Sequence, residues 1–409
     1  MLPTGWQKLS LEKCLNIEAR KAYIQDNQEY DLVTVKRSRG GVIRREHLKG
    51  KDISVKSQFY IKEGDFLISK RQIVHGACGL VPKELSGSIV SNEYCVLTGK
   101  SGFYLPYMEF LSESLYFQQT CFHSSIGVHI EKMIFKLDSW FKWPFNIPPL
   151  SEQKRIVKIL STWDKAISVT EKLLTNSQQQ KKALMQQLLT GKKRLLDENG
   201  VRFSGEWEKG KFCDMANIDT GYAFKSKDFT QSDSGIPIIR MSDFKTGGLD
   251  VLGAAKVDRD SVNGLDKFKL RVGDFVFGMS GSLNNYGRVE KKDLPCYLNQ
   301  RVGRILAKEC ANQAFITYLY LSDSIQQSIL DKAAGAAQLN ISISDLRSMV
   351  VYYPCIEEQQ KIAAVLSAAD AEISTLEKKL ACLRDEKKAL MQQLLTGKRR
   401  VKVDEAVAE

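Results

Sequence analysis

The stretch KKALMQQLLTGKKR at residues 181–194 returns almost unchanged as KKALMQQLLTGKRR at residues 387–400. The first twelve residues of the two copies are identical, and the copies begin 206 residues apart. The same offset aligns Pro148 with Pro354 and the sequence that follows each proline, without a gap. Chance does not produce an identity of this length in one register, so the chain contains an internal repeat.

Each copy of the repeated stretch lies at the end of a predicted long helix. Apolar residues recur in alternating steps of four and three, which is the seam of a left-handed coiled coil. Pro149 comes just before the first helix, and Gly191 and Gly397 fall at the C-terminal ends. Helices of about 40 residues would be about 60 Å long. The seam positions are 156, 160, 163, 167, 170, 174, 177, 181, 184 and 188, together with the ten positions 206 residues later.

The apolar seam of each helix needs a partner, because an isolated apolar stripe would stay in water. The two helices can pair with each other, or each can dock onto another chain. Their matching length and register favour the first arrangement. Ser177 and Lys181 interrupt the first seam. They are either a device that fixes the register or a surface for another subunit, and both interpretations stay open.

The segments that precede the two helices also correspond, in the same order. Short β-prone runs follow a Gly-Asp turn in both segments, and helical runs begin at Phe103 and Phe315. Both segments are therefore predicted to be α+β domains. The matched runs are GWQKLSLEKC with GEWEKGKFCDM, VIRREHL at Val42 with IIRMSDF at Ile238, IKEGDFLISKR with LRVGDFVFGMS, GLVPKEL with GRVEKKDL, and IVSNEYCVL with CYLNQRVGRI.

The repeat predicts two similar globular domains of α+β class, each followed by a long helix. The predicted boundaries are 1–147 for the first domain, 148–192 for the first helix, 193–204 for a linker, 205–353 for the second domain, 354–397 for the second helix and 398–409 for a charged tail.

Composition narrows the class of partner. Lys and Arg number 60 against 48 Asp and Glu, which gives a net charge of +12 and favours a polyanionic partner such as nucleic acid. The nine cysteines are scattered without a CxxC pair, which argues against a disulfide framework and a zinc site. The N-terminus is unlike a signal peptide, and no apolar run approaches the roughly 18 residues of a membrane span. We therefore expect a soluble cytoplasmic protein with no metal site and no membrane partner.

The spacings that carry catalysis are missing from the sequence. There is no phosphate-cradling GxxxxGK[ST] and no GxGxxG after a strand. The run from Asn146 to Leu150 departs from the Asn-Pro-Pro-aromatic motif of amino-methyltransferases. All four histidines lie in the first half of the chain, which excludes a repeated histidine site. We therefore expect no catalytic residue and no cofactor bound by this chain.

Basic and amide side chains collect in a few segments where they could contact phosphates and base edges. Residues 36–51, KRSRGGVIRREHLKGK, carry seven Lys or Arg side chains against one Glu, with a Gly-Gly pair that suggests a flexible loop or a hairpin tip. The loops after the two Gly-Asp strands are both polar but differ in sequence, as expected of domains that recognise different bases. The candidate DNA-binding residues are Lys36, Arg37, Arg39, Arg44, Arg45, Lys70, Arg71, Gln72, Asn92, Arg240, Ser242, Ser280, Ser282, Asn284, Asn285, Tyr286, Arg288, Gln300 and Arg301.

The sequence resembles the specificity subunit of type I restriction-modification systems. The resemblance is carried by PPLSEQKRIVKIL with LSTWDKAI, by YPCIEEQQKIAAVLSAADAEI, and by the repeated stretch that ends each helix. GIPIIRMSDF, GDFVFGMSGS and YLNQRVGRI resemble the target-recognition domains of that family, and IRREHLKGKDI, GDFLISK and VSNEY resemble a variant of them.

The resemblance implies a division of labour among subunits. Two target-recognition domains would each read one part of a bipartite site in double-stranded DNA. The helices would pair as an antiparallel coiled coil, fix the spacer between the parts and dock two methyltransferase subunits. S-adenosylmethionine would bind to those subunits, and ATP and Mg²⁺ would serve the restriction subunits, which translocate and cut DNA.

Two other classes of function compete with this interpretation. A nuclease or methyltransferase with its own recognition domains would need an acidic or nucleotide-binding motif, and none is visible. A non-enzymatic coiled-coil scaffold, with incidental non-specific DNA binding, would show little sequence preference.

Overall fold

A computed structural model of the chain describes residues 2–245, 248–280, 285–333 and 341–402. The chain divides into two compact units, residues 1–171 with 378–409 and residues 172–377. Each unit contains one globular domain, a part of the first long helix and a part of the second. The sequence predicts linear segments, with each helix as a segment of its own, whereas each compact unit takes a part from both helices.

The first unit contains helices α1 to α3 and the beginning of α4. Its helices are α1 (Tyr107–Ser112), α2 (Leu115–His123), α3 (Leu137–Phe141) and α4 (Leu150–Leu188), of which the last continues into the second unit. Its strands are β1 (Gln7–Ser10), β2 (Leu15–Glu18), β3 (Lys21–Ala22), β4 (Glu29–Val35), β5 (Val42–Lys49), β6 (Gln58–Tyr60), β7 (Phe66–Ser69), β8 (Cys78–Leu80), β9 (Ile89–Ser91), β10 (Tyr94–Gly99), β11 (Ser125–Ile126), β12 (Ile134–Phe135) and β13 (Pro144–Ile147).

The second unit repeats this composition. Its helices are α5 (Phe212–Met215), α6 (Gln313–Tyr320), α7 (Asp323–Ala333), α8 (Ile343–Arg347) and the beginning of α9 (Ile356–Leu395), which continues into the first unit. Its strands are β14 (Glu208–Lys211), β15 (Ala216–Thr220), β16 (Phe229–Thr230), β17 (Ile236–Ile239), β18 (Phe244–Lys245), β19 (Gly248–Leu249), β20 (Lys256–Val257), β21 (Phe275–Gly278), β22 (Tyr286–Arg288), β23 (Tyr297–Leu298), β24 (Val302–Ala307) and β25 (Val350–Tyr353).

The main sheets of the two domains have the same strand order. A four-stranded sheet runs β2-β10-β7-β8 in the first domain and β15-β24-β21-β22 in the second. A two-stranded ribbon joins the start of each domain to its end, β1 with β13 and β14 with β25. These pairings confirm that the matched Gly-Asp segments are equivalent and that both domains are α+β.

A second sheet corrects one of the sequence matches. The run at Val42 was matched with the run at Ile238, but these strands are not equivalent. Strand β17 pairs in parallel with β23, and in the first domain it is β4 that pairs in parallel with β9. Strand β17 is therefore the counterpart of β4, and β20 is the counterpart of β5. The two runs share only a local Ile-Arg likeness, whereas the equivalence of strands depends on pairing between residues far apart in the chain.

The aspartate of each Gly-Asp turn forms the same backbone hydrogen bond in both domains. Asp65 accepts a hydrogen bond from the backbone N–H of Lys62 at 2.7 Å, and Asp274 accepts one from Arg271 at 3.0 Å. Both carboxylates are buried, and each forms an ion pair with an arginine. Asp65 pairs with Arg20, and Asp274 pairs with Arg304 of β24. A buried carboxylate needs such partners, which is why the same dipeptide precedes both central strands.

The predicted helix seam is confirmed in both helices. Every seam position is buried or half-buried, whereas most of the positions between them are exposed. The helices end where the sequence predicts, since Gly191 and Gly397 adopt left-handed φ angles of 69° and 71°. Within the described residues, no helix combines the length and the apolar character that crossing a bilayer requires.

The two helices run antiparallel within each unit. In the first unit Lys387 Nζ lies 2.6 Å from Asp164 Oδ1, and Arg384 lies 2.7 Å from Glu171. Residue numbers therefore increase along α4 while those of the contacting residues decrease along α9. In the second unit, Lys181 pairs with Asp370 at 2.5 Å. Lys181 corresponds to Lys387 and Asp370 corresponds to Asp164 at the offset of 206 residues, so the two units contain equivalent ion pairs.

The polar seam residues thus contact the opposite helix. Ser177 donates a hydrogen bond to Glu372 at 3.0 Å, in addition to the ion pair of Lys181. Lys181 also lies over the ring of Tyr318, and Lys387 lies over the ring of Phe110. A buried polar contact is satisfied in one register only, so these residues favour the register role that the sequence left open.

A buried glutamine in the first turn of each long helix forms hydrogen bonds with the adjacent domain. Gln153 accepts from the N–H of Tyr104 at 2.7 Å and donates to the carbonyl oxygens of Gly102 and Pro148. Gln359 accepts from the N–H of Asn312 at 3.0 Å and donates in the same manner to two carbonyls. The neighbouring glutamates are used equivalently, since Arg400 binds Glu152 and Arg194 binds Glu358.

Replacing Gln153 or Gln359 with alanine will destabilise the unit to which it belongs. Each change leaves buried backbone groups without a partner, which costs about 2–4 kcal/mol. Urea unfolding followed by circular dichroism measures the loss, and Gln180→Ala, at an exposed position of α4, is the matched control. A loss no larger than that of the control would contradict the anchoring role.

Candidate nucleic-acid interface

In the first domain, a hairpin tip and a loop bring several predicted residues together. Residues 36–41 join β4 to β5, and Ser38 and Arg39 adopt positive φ angles of 54° and 56°. Their backbone N–H groups donate to the carbonyl oxygens of His75 and Gly76, at 2.7 and 2.9 Å. The Gly-Gly pair therefore lies at a hairpin tip, one of the two structures that the sequence suggests, and hydrogen bonds join this tip to the loop that follows β7.

Side chains complete what we call the first-domain cluster, formed by Arg37, Arg39, Lys70, Arg71, Gln72 and Asn92. Arg37 Nε donates to Gln72 Oε1 at 2.8 Å, which joins the hairpin tip to the loop. Lys70 Nζ donates to the carbonyl oxygen of Asn92 at 2.6 Å. Sequence reasoning named all six residues, and pairing between distant strands places them side by side.

The cations of this cluster are paired with carboxylates that remain accessible to water. Arg71 contacts both oxygens of Glu93 at 2.5 and 3.4 Å, and Arg37 lies 2.7 Å from Glu131. About half of each of these side chains is exposed. Exposed ion pairs contribute only about 0–1 kcal/mol, so these arginines can exchange a carboxylate for a phosphate at little cost.

Arg44 and Arg45 lie on strand β5 and have other partners. Arg44 contacts Asp31 at 3.0 Å, and Arg45 contacts the adjacent Glu46 at 3.4 Å. Their side chains are about half exposed. Lys36 is exposed at the base of the tip. These three cations extend the basic surface, but no contact joins them to the cluster among the hydrogen bonds and ion pairs of the described residues.

His47 on β5 stands between two carboxylates. Its ring nitrogens lie 2.7 Å from Asp31 and 3.3 Å from Glu29. Hydrogen bonds to Asp31 and then Glu29 raise the pKa of His47 above its ordinary value. The strand therefore gains positive charge when the solution is acidified.

In the second domain the predicted residues fall into two groups. The first group surrounds a cavity of about 470 Å³ whose walls include Ser280, Gln300 and Arg301. At the end of β21, beside this cavity, the backbone N–H of Gly278 donates to the carbonyl oxygen of Asn285 at 2.7 Å. Ser282 and Asn284, also predicted, lie outside the described residues.

Arg240 and Ser242 follow β17 and occupy a tight turn. The backbone N–H of Arg240 and the hydroxyl of Ser242 both donate to Asp243, at 2.9 and 2.8 Å. Met241 of this turn reaches the close approach at Gly278, where an added Cβ would lie 2.7 Å from its sulfur. Because β17 is the counterpart of β4, this turn is equivalent to the hairpin tip of the first domain.

Tyr286 and Arg288 form the second group, on strand β22. They line a cavity of about 250 Å³ together with Lys181, Tyr318 and Asp370. Burial, and then the charge of Asp370, raise the pKa of Tyr286. Burial and the hydrogen bond to Asp370 raise the pKa of Tyr318 to about 12. These two predicted residues therefore face the helices of their own unit, where they can link the strand to the helix pair.

Sequence reasoning missed several residues at these surfaces. In the first domain Glu131 contacts both Arg37 and His75, and the apolar side chains around it are exposed. In the second, Ser342 and Asp345 form part of the cavity wall beside Gln300. No local pattern marks a lone glutamate or a serine at the start of a short helix. Only the fold brings them to the site.

Comparison with known proteins assigns the family. The profile of the type I restriction modification DNA specificity domain matches residues 3–176 and again 204–383. The chain belongs to the type I restriction-modification specificity family. The two matches cover one domain each, together with the first part of the helix that follows it, in agreement with the repeat and with the predicted resemblance.

Relatives and solved structures are consistent with the family over most of the chain. The MjaVIII specificity subunit of Methanocaldococcus jannaschii is 30% identical over 311 residues, covering 73% of this chain and 70% of that protein. The EcoBI specificity subunit of Escherichia coli is 23% identical over 57% of this chain and 53% of its own length. The HsdS subunit from Thermoanaerobacter tengcongensis shares the fold, with a TM-score of 0.53, 18% identity and coverage of 97% and 98%. An S subunit from M. genitalium gives a TM-score of 0.58 at 13% identity, covering 95% and 96%.

The pKa of His47, measured by NMR titration, will lie above the ordinary value for histidine. Asp31→Asn will lower the pKa more than Glu29→Gln does, because the bond to Asp31 is the larger cause. A raised pKa in the folded state means that this contact stabilises the fold at acidic pH and that the contribution is lost as the pH rises through that pKa. An unchanged pKa in both variants would contradict the contact.

Proposed function

We propose that this chain is a non-catalytic, sequence-specific DNA-binding subunit that reads a two-part site in double-stranded DNA, one part with each domain. The observation that carries the proposal is a common sheet topology with different side chains at equivalent loops. Lys70, Arg71 and Gln72 follow the Gly-Asp strand of the first domain, whereas serine, asparagine and arginine occupy the corresponding loops of the second. Equal frameworks with unequal hydrogen-bonding groups suit two different base sequences.

Affinity and specificity would come from different side chains. The exposed cations of the first-domain cluster would bind phosphates, a contact that carries no sequence information and weakens steeply with salt. Amide and hydroxyl groups such as Gln72 and Gln300 would contact base edges. The net charge of +12 is consistent with this polyanionic partner.

We further propose that the repeated stretch docks two copies of one partner, the methyltransferase subunit. Residues 181–192 and 387–398 are identical at buried and exposed positions alike. Equal packing explains identity at the buried positions. At the exposed positions, the equivalent contacts within the described residues are the hydrogen bonds that Thr190 and Thr396 donate to the carbonyl oxygens of Gln186 and Gln392. The exposed identical pairs are Lys182 with Lys388, Ala183 with Ala389, Gln186 with Gln392, Gln187 with Gln393, Thr190 with Thr396 and Lys192 with Lys398.

Most exposed positions of the helices outside the repeated stretch differ between the two copies. Lys158 corresponds to Ala364, and Lys165 corresponds to Ala371, although all four positions are exposed. Apart from Lys172 with Lys378, the position pairs exposed on both helices have therefore diverged outside the repeated stretch and not within it. A partner that binds the same surface twice accounts for this difference.

Chemistry would then belong to the partners. The methyltransferase subunits would bind S-adenosylmethionine, and restriction subunits would use ATP and Mg²⁺. This chain would recognise the target sequence in DNA. A coiled-coil scaffold with incidental DNA binding is the second candidate. It requires no difference between the loops of the two domains, and mapping the modified sequence distinguishes the two.

Cells that carry this gene with its methyltransferase will methylate one two-part motif, and deletion of the gene will abolish that methylation. Single-molecule sequencing of genomic DNA measures both. The change Arg44→Ala with Arg45→Ala will reduce the fraction of modified sites or relax the first part of the motif, because cations beside the cluster are lost. Lys154→Ala on α4 is the control, and methylation that persists without the gene would contradict the proposal.

Arginine substitutions at the repeated alanines will change the stoichiometry of the complex. Ala183→Arg or Ala389→Arg alone will leave one bound methyltransferase subunit instead of two, and the double variant will leave none, because a large cation blocks the shared surface. Mass photometry counts the subunits. Ala371→Arg, at an exposed position whose counterpart is Lys165, is the matched control. Two subunits on the double variant would exclude this surface.

A further inference from the structure

An apolar hairpin lies beside the first-domain cluster and is left uncovered by the packing of its unit. Strands β11 and β12 pair Ser125 with Phe135 and Ile126 with Ile134. Ser125 and Phe135 are buried in the domain, whereas Ile126 is 66% exposed and Ile134 is 39% exposed. Alternation along the strands therefore turns one side of the hairpin to the core and an apolar side to water.

The tip of the hairpin extends this apolar surface. Val128 is 95% exposed, and Ile130 is 48% exposed. Single exposed apolar residues need no explanation, but a group of them in one short segment forms a patch. Gly127 permits the tight tip, because a Cβ there would lie only 2.9 Å from the Cα of Met133.

Ion pairs connect the hairpin to the cluster. Glu131, which follows Ile130, lies 2.7 Å from Arg37 and 3.3 Å from the Nε2 atom of His75. Arg37 neutralises the glutamate, which otherwise would repel a polyanion. The two contacts also fix the orientation of the tip relative to the cations.

The strand side of the hairpin is connected as well. The N–H of Phe135 donates to the carbonyl oxygen of Lys70 at 2.8 Å. Ile134 lines a cavity of about 500 Å³ that is also lined by Lys70, Asn92 and Lys136. Ile134 and two predicted DNA-contacting residues, Lys70 and Asn92, therefore border the same cleft.

We propose that the hairpin of residues 125–135 enters a groove of the DNA and packs Val128 and Ile130 against the apolar edges of bases and sugars. The cations around it would hold the flanking phosphates. This inference rests on the proposed function and adds to it an apolar, charge-independent contact in the first part of the site. Apolar side chains contact thymine methyl groups or wedge between base steps in other DNA-binding proteins.

DNA is the occupant favoured by the charges that border the patch. Arg37, Lys70 and Arg71 lie on the segments that the hairpin contacts, and Lys132 lies on the hairpin itself. Glu131, the one carboxylate on the hairpin, is paired with Arg37. Glu18 and Asp138 also line the cleft, so the apolar hairpin and the cations beside it are the part of this surface that fits a groove floor between two rows of phosphates.

The experiment uses the complete complex of this chain with its methyltransferase subunits and a duplex that carries the methylated motif. The double variant Val128→Ser with Ile130→Ser is expected to bind this duplex about tenfold or more weakly, since the apolar contact is lost. The slope of log affinity against log salt is expected to stay unchanged, because no phosphate contact is removed. Leu252→Ser is the matched control, at a position 97% exposed in the second unit.

Two further variants separate the apolar contact from charge. Arg71→Ala is expected to reduce the salt slope by about one, as a lost phosphate contact does. Val128→Lys is expected to lower the preference for the motif over a scrambled duplex, because a charged side chain does not fit the groove floor. A Val128→Lys complex that keeps its preference would overturn the inference.

The remaining outcomes are decisive as well. Unchanged affinity of the intact double-variant complex would exclude the hairpin from the DNA contact. Loss of subunits from the double variant would assign the patch to a protein interface and overturn the inference. A wild-type complex with no preference for the methylated motif would instead overturn the proposed function itself, whatever the variants do.

Discussion

The burial of one apolar seam by another is the constraint on which each unit depends. The helices run antiparallel within each unit, and a single lysine faces an aspartate of the opposite helix, Lys387 with Asp164 in one unit and Lys181 with Asp370 in the other. Lys387 is only 12% exposed, and its contacts with Asp164 and Glu113 raise its pKa although burial alone lowers it. Removing one member of such a pair leaves a charge without its partner, so the pair specifies register more than it adds stability.

The same framework leaves the recognition surfaces free to differ. Buried glutamines and glutamates attach each domain to the start of a helix, and the central sheets share one strand order. The loops beyond these sheets are not constrained by the core, and there the two domains diverge. Loops that the core does not constrain can change without disturbing the fold.

The 4-3 spacing over ten positions predicted the two helices, Gly191 and Gly397 predicted their ends, and the equal length and register of the seams favoured pairing of the helices with each other. The Gly-Asp segments were equally informative, since Asp65 and Asp274 make the same turn. Local patterns failed where long-range pairing decides. The run at Val42 was matched with β17 although β17 is the counterpart of β4, and Tyr286 and Arg288 face the helices of their unit.

The central claim is that one structural unit is used twice, with each copy recognising its own part of a DNA site. Replacing residues 205–353 with the corresponding domain of another family member, followed by mapping of the methylated motif, tests this claim most directly. The account predicts that one part of the motif changes to that of the donor, while the other part and the assembly of the complex are retained. A motif that stays the same, or one that changes in both parts, would contradict it.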